Sequence, residues 1–201
     1  EHAKQLAAML PQEEMIAFSP QECRKQCIFE ISDAEIKAGE AVILRGVSLR
    51  VMRGERLAVV GENGCGKSTL LKFIAESLQG EAVSYLSQQC EDVCGTPAQY
   101  AAAWGIDEAS FKSMLAKLGF RRTDWDKDMS LLSTGQRKKA ALARSLLTKA
   151  RLYLWDEPFN YLDIPAREMI EDAIIASSPT MVFVEHDAAF VSRVATRIFQ
   201  I

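Results

Sequence analysis

The sequence lacks long apolar runs, a strong net charge and an even set of cysteines. No apolar run reaches the roughly 18 residues of a membrane-spanning helix, and no signal peptide is recognisable. The net charge of −3 gives no overall positive field that would favour nucleic acid. The five cysteines are odd in number, which favours reduced thiols over a disulfide framework. With 48% of its 201 residues hydrophobic, the chain can bury a core, and we expect a cytoplasmic globular protein.

A glycine-rich stretch is the most specific motif in the chain. Residues 61–69 fit the pattern G-x-x-x-x-G-K-[ST] of phosphate-binding loops, between a predicted buried strand and a predicted helix. The glycines allow backbone N–H groups to surround a phosphate, and the helix adds the positive end of its dipole. Lys67 is expected to contact the β- and γ-phosphates, and Ser68 to bind Mg²⁺. The residues predicted to bind nucleotide here are Gly61, Glu62, Asn63, Gly64, Cys65, Gly66, Lys67, Ser68 and Thr69.

The rest of the chain alternates predicted strands with predicted helices. A short helix over residues 1–10 and a polar segment make residues 1–27 a linker tail or an extension lying on the domain. Residues 28–51 favour an antiparallel hairpin with a turn at Gly39. Predicted strands follow at 82–86, 151–155 and 180–184, and predicted helices at 96–127, 136–149, 166–176 and 188–195. Because these strands are almost wholly apolar, the pattern predicts a parallel sheet covered on both faces.

Polar side chains follow the predicted strands, at the edge of the sheet where ligands bind in such folds. Asp156 ends an apolar strand, where a carboxylate that organises Mg²⁺ is expected. The adjacent Glu157 points in a different direction and is the candidate to polarise an attacking water. His186 is a candidate to hydrogen-bond the γ-phosphate, and Gln88 to reach Mg²⁺ or the water. The alternative for each is an ordinary solvated or core residue.

The order of these motifs resembles that of ATP-binding-cassette ATPases over residues 28–201. Leu132-Ser133-Thr134-Gly135-Gln136 resembles the LSGGQ signature, Gln88 the Q-loop glutamine and His186 the switch histidine. Residues 152–157 resemble the Walker B strand with its glutamate, and residues 160–163 the D-loop. The resemblance implies an α/β P-loop NTPase fold: a parallel-sheet core, an N-terminal antiparallel β subdomain and a helical subdomain over about residues 95–150.

The resemblance also implies that the chain is an ATPase and how its sites are completed. In that family two cassettes pack head to tail, and each ATP lies between one phosphate loop and the signature of the other cassette. Hydrolysis by a single copy should therefore be weak. The implied catalytic residues are Glu157, His186 and Gln88; the implied metal ligands are Ser68, Gln88 and Asp156; the further implied nucleotide contacts are Ser133, Gly135, Gln136 and Asp163. ATP and Mg²⁺ are the implied cofactors.

Within the family, the segments 155–163 and 184–187 resemble the second cassette of the ABC-F branch, whose members act on ribosomes and include antibiotic-resistance proteins. The ribosome and its RNA are then expected partners, and Arg137-Lys138-Lys139 is either an RNA-contacting cluster or a solvated helix face. The alternative is the ATP-binding subunit of a membrane transporter. Only about sixty residues separate the phosphate loop from the signature, too few for the insertions of related DNA-repair ATPases, so DNA is not expected.

Three departures from the family pattern stand out. Thr134 replaces the second signature glycine, and Phe159 replaces the usual threonine. No aromatic residue occupies the expected adenine-stacking position near residues 36–40, which leaves Phe29 as a candidate for that role and base selectivity open.

Overall fold

The computed structural model describes Ile16, Phe18 and residues 20–201. The helix predicted over residues 1–10 lies outside these residues. Ile16 and Phe18 are both buried, and the Phe18 ring packs against Tyr153 with the ring centroids 4.7 Å apart. The Gln21 N–H donates a hydrogen bond to the carbonyl of Ala150 at 2.9 Å. Ile16 and Phe18 therefore pack into the core, whereas residues 21, 22 and 24–26 are exposed.

The chain first forms the predicted antiparallel hairpin. Strand β1 (Cys27–Ala38) pairs with β2 (Ala41–Met52), and the turn between them contains Gly39 at φ 60°. Strand β1 continues seven residues past the predicted end at residue 31. The prediction stopped there because register shifts in the pairing with β2 interrupt the alternation of polar and apolar residues.

Five parallel strands form the central sheet. They are β3 (Arg56–Val60), β4 (Val83–Leu86), β5 (Leu152–Asp156), β6 (Met181–Val184) and β7 (Arg197–Gln200), in the order β4-β5-β6-β3-β7. Every residue of β5 and β6 is buried, as expected for strands covered on both faces. Strand β7 was not predicted. It is a short, largely exposed edge strand without the apolar pattern of the inner strands.

Six α-helices connect the strands within the described residues. They are α1 (Lys67–Ser77), α2 (Pro97–Ala103), α3 (Glu108–Lys117), α4 (Thr134–Leu147), α5 (Ile164–Ser177) and α6 (Ala188–Val194). The region 96–127, predicted to be mostly helical, contains α2 and α3, separated by a turn at Gly105 with φ 64°, and a short 3-10 helix at Arg122–Asp124. Its predicted apolar stripe is confirmed: Phe111, Met114, Leu115 and Leu118 are buried in one core cluster. In residues 16, 18 and 20–201, no helix combines the length and apolar character needed to span a bilayer.

The sheet brings four loops to one edge. The phosphate loop follows β3, the loop with Gln88 follows β4, Asp156 and Glu157 end β5, and His186 follows β6. Since all these strands are parallel, the loops meet at their carboxyl ends, as the sequence predicted.

Candidate functional site

The phosphate loop wraps tightly between the hairpin and helix α1. Gly66 has φ 103° and directly precedes α1, and a Cβ atom there would come within 2.8 Å of the Ile43 side chain. Only glycine fits this conformation and contact without strain. The Lys67 ammonium bends back over the loop and donates to the carbonyls of Gly61 at 2.9 Å and Glu62 at 2.7 Å. Lys67 is thus buried inside the loop, with its charge where a phosphate would lie.

Asp156 is 1% exposed at the end of β5. Within the described residues, neither of its carboxylate oxygens accepts a hydrogen bond of normal geometry. Burial raises the pKa of Asp156, while the nearby Ser68 hydroxyl and the Lys138 ammonium act in the opposite direction. A buried carboxylate with unused lone pairs beside a serine hydroxyl is a donor set suited to a hard cation. Ser68 and Asp156 therefore fit Mg²⁺.

Glu157 is held by three side chains. Its Oε2 accepts hydrogen bonds from the Asn160 amide at 2.7 Å and the Gln88 amide at 3.1 Å. Its Oε1 lies 3.3 Å from Nε2 of His186. Glu157 has φ 49°, a left-handed conformation that is unfavourable for a residue with a side chain. The structure thus brings together the three predicted catalytic residues and fixes the carboxylate in one direction.

Asn160, Glu185 and Lys138 also belong to this edge of the sheet, although the sequence analysis gave none of them a role there. Glu185 is 8% exposed, and burial raises its pKa. Lys138 is 3% exposed and lies near Asp156, Glu157 and Glu185. Glu185 and Asn160 could have been suspected, since each lies within three residues of a predicted site residue. Lys138 also lies two residues from the predicted Gln136, but nothing in the sequence indicated that it reaches Asp156, because the tertiary fold brings its helix to this edge.

The signature residues make contacts within their own chain. The Ser133 hydroxyl receives the Gln136 N–H at 3.3 Å, and the Gln136 side chain accepts from the Ser133 N–H at 3.2 Å, so the two form a capping box at the start of α4. A Cβ atom on Gly135 would lie 2.9 Å from Cβ of Tyr161. Asp163 caps α5 by accepting from the Ala166 N–H at 3.0 Å.

A cavity of about 760 Å³ opens beside Ser68 and Asp156. Its lining includes Ser68, Gln88 and Asp156, together with the hairpin turn at residues 37–39. Among the described residues that line it, none comes from the signature stretch 132–136. The cavity therefore lacks the signature contacts, as expected if another cassette supplies them.

Two sequence-based interpretations are wrong. Phe29 is 6% exposed and belongs to the core cluster beneath the hairpin, so its ring is not available to stack on adenine. Arg137-Lys138-Lys139 is not a uniform solvated face, because Lys138 points inward while its two neighbours are half-buried; contact of Arg137 and Lys139 with RNA stays a prediction. The departure at Phe159 is explained by packing: its ring lies 4.4 Å from that of Phe190 in the core.

Comparison with known proteins agrees with this geometry. The family model described as "ABC transporter" matches residues 44–160. The dimeric structure of MJ0796, a bacterial ABC transporter cassette, superposes with a TM-score of 0.70 at 20% identity, over 86% of this chain and 93% of that one. The chain therefore belongs to the ABC transporter family. Cassettes of this family are ATPases that bind ATP with Mg²⁺, and this chain is one of them.

Within the family, relatives of this chain include members of the ABC-F group. It is 32% identical over 180 residues to "ABC transporter F family member 2" of Arabidopsis thaliana, covering 81% of this chain and 26% of that protein. It is 28% identical over 179 residues to "Ribosome protection protein VmlR" of Bacillus subtilis, covering 82% of this chain and 32% of that protein. The chain thus spans about a quarter to a third of the length of these relatives.

Proposed function

We propose that this chain is the second ATP-hydrolysing cassette of an ABC-F protein that acts on the ribosome and protects it from antibiotics. The observation that carries the proposal is the likeness to ABC-F members, among them a protein named for ribosome protection. The resemblance of segments 155–163 and 184–187 to resistance members supports the finer assignment. The protein would work in the cytoplasm, with ribosomal RNA as a partner and without DNA.

In this proposal the phosphate loop binds ATP. The backbone N–H groups of residues 61–69 surround the phosphates, and the Lys67 ammonium exchanges its two loop carbonyls for phosphate oxygens. Ser68, Asp156 and Gln88 would hold Mg²⁺, which would neutralise negative charge on the phosphates. The Gln88 amide nitrogen is engaged by Glu157, which leaves the Gln88 carbonyl oxygen as the available ligand.

Glu157 is the proposed general base. Asn160 and Gln88 hold one carboxylate oxygen, and the His186 ring is next to the other. This arrangement fixes the direction in which the carboxylate accepts a proton from water, which is the positioning that general-base catalysis requires. His186 is half-exposed and can turn towards the γ-phosphate when nucleotide is present.

The signature residues would serve a second cassette. Ser133 and Gly135 at the start of α4 present the N-terminus of a 14-residue helix, a favourable place for the phosphate bound by a partner. Gln136 and Asp163 support these contacts by capping α4 and α5. ATP would thus hold two cassettes together and hydrolysis would release them, and a single cassette would hydrolyse ATP weakly.

The test is cosedimentation with ribosomes of the full-length protein carrying Glu157→Gln and the matching change in its other cassette. With ATP, this variant should stay closed and pellet with ribosomes, and without ATP it should remain in the supernatant. The matched control is Glu168→Gln, the same chemical change on the exposed side of α5. If ATP does not change the amount that pellets with ribosomes, or if the variant is recovered with membranes, the ribosomal role is excluded. Recovery with membranes would favour the transporter alternative.

The resistance role needs a separate test. Expression of the wild-type protein should raise the inhibitory concentration of lincosamides, pleuromutilins or streptogramin A, and expression of the Glu157→Gln form should not. Equal inhibition with both forms, in cells where the protein pellets with ribosomes, would retain the ribosomal role and reject drug protection.

A further inference from the structure

Lys138 is a buried cation at the catalytic edge of the sheet, in addition to Lys67. It lies in the second turn of α4 and is 3% exposed. Its ammonium donates a hydrogen bond to the main-chain carbonyl of Asp156 at 2.6 Å and another to that of Ser87 at 3.0 Å. These are charge-assisted bonds inside the protein, where such bonds are strong and their loss is expensive.

The position of the two carbonyls gives these bonds their significance. Strands β4 and β5 pair in register up to Leu86 and Trp155. Ser87 and Asp156 are the next residues of the two strands, at the point where the pairing ends and the strands turn into their loops. The Lys138 ammonium therefore links strands β4 and β5 directly beyond their last paired residues.

Acidic side chains and two main-chain carbonyls surround the buried Lys138 ammonium. Burial lowers the pKa of Lys138, whereas Cys90, Asp156, Glu157 and Glu185 all act to raise it. A buried ammonium is unfavourable unless it is paired and hydrogen-bonded. An apolar side chain at this position would avoid the desolvation of a charge. Only a long side chain with a hydrogen-bond donor, however, can reach the carbonyls of Ser87 and Asp156.

We propose that Lys138 is a positioning residue. It fixes the spacing between the Gln88 loop and Asp156, and so holds the Mg²⁺ ligands in place without contacting the metal. The proposal rests on the function proposed above for Gln88 and Asp156. Because Lys138 belongs to the helix that begins at the signature, the same two bonds also tie the signature helix to the metal-binding edge. Groups that orient metal ligands commonly alter metal affinity 10–100-fold when removed.

The experiment compares Lys138→Met with Lys139→Met, a matched change at the next residue, which is half-buried. ATP affinity of the full-length protein is measured by calorimetry, once with Mg²⁺ and once with EDTA. The wild-type protein should bind ATP more tightly with Mg²⁺. In Lys138→Met this gain should fall by about tenfold. The affinity in EDTA should not change, because the Lys138 hydrogen bonds go to Ser87 and Asp156 and not to the phosphate loop. Lys139→Met should keep the full gain.

Each outcome decides the matter. A reduced thermal midpoint with an unchanged Mg²⁺ gain in Lys138→Met would assign Lys138 to packing alone and overturn the proposal. If this variant does not fold, Lys138→Gln is measured instead, because it keeps a polar end but no charge. Its increase in ATP affinity with Mg²⁺ should also be smaller than that of the wild-type protein. An Mg²⁺-independent ATP affinity in the wild-type protein would instead overturn the proposed metal site itself.

Discussion

The Asn160→Ala substitution tests how the Glu157 carboxylate is held. It removes the shortest of the three contacts to that carboxylate, a 2.7 Å hydrogen bond to Oε2. A hydrogen bond to a charged group contributes about 1.5–3 kcal/mol. Because Gln88 still donates to the same oxygen at 3.1 Å, we expect the lower end of this range. A loss of about 1.5 kcal/mol in the transition state lowers kcat roughly tenfold.

The assay is steady-state ATP hydrolysis by the full-length protein at varied ATP. Asn160 does not line the 760 Å³ cavity beside Ser68 and Asp156, so KM should remain unchanged while kcat falls. Asn160→Asp should lower kcat further, because it replaces the amide donor by a second carboxylate against Glu157. Gln79→Ala, at an exposed residue that does not line this cavity, is the control and should be neutral. A kcat within twofold of wild type for Asn160→Ala would refute the idea that this bond positions the base.

Three further predictions concern the loop, the pH response and the core. Gly66→Ala should destabilise the protein by about 1–3 kcal/mol and weaken ATP binding, since φ 103° and the 2.8 Å approach to Ile43 both oppose a Cβ atom; thermal denaturation with and without ATP measures both effects. Hydrogen bonds from the N–H groups of Phe190 and Ala189 lower the pKa of Asp187 in the folded protein. Its carboxylate therefore stabilises the fold fully above the unfolded pKa of about 4. This stabilisation is lost as the pH falls through the lower pKa of the folded protein. Urea titrations should thus find Asp187→Ala destabilised by about 1 kcal/mol at pH 7 and much less at pH 2. Phe159→Ala should lose about 3–5 kcal/mol in the same assay, because its ring is 1% exposed and packs among other aromatic rings; an equal loss for the exposed Tyr161→Ala would contradict this explanation.

The residues of the sheet edge show what sequence could predict and what it could not. The phosphate loop, Gln88, Asp156, Glu157 and His186 each follow a strand with a clear apolar pattern, so their meeting at one edge follows from parallel pairing. Strand β7 escaped prediction because it is short and mostly exposed, and strand pairing rather than composition defines it.

Side-chain direction was the harder problem. Three basic residues in a row, Arg137-Lys138-Lys139, look alike in sequence, yet only Lys138 lies on the inward face of α4. Phe29 looked available beside the hairpin, yet it faces the core beneath. In both cases the tertiary contacts of an element, and not its local pattern, determine which side chain reaches the site.

The capping box at the start of α4 has a consequence for recognition. The Ser133 and Gln136 side chains already fix each other, so the first turn of the helix is ordered before any ligand reaches it. Ordering a flexible side chain on association typically costs about 0.5–1.5 kcal/mol. A second cassette carrying ATP would therefore meet a first helical turn that folding has already ordered, so association would lose less conformational entropy there.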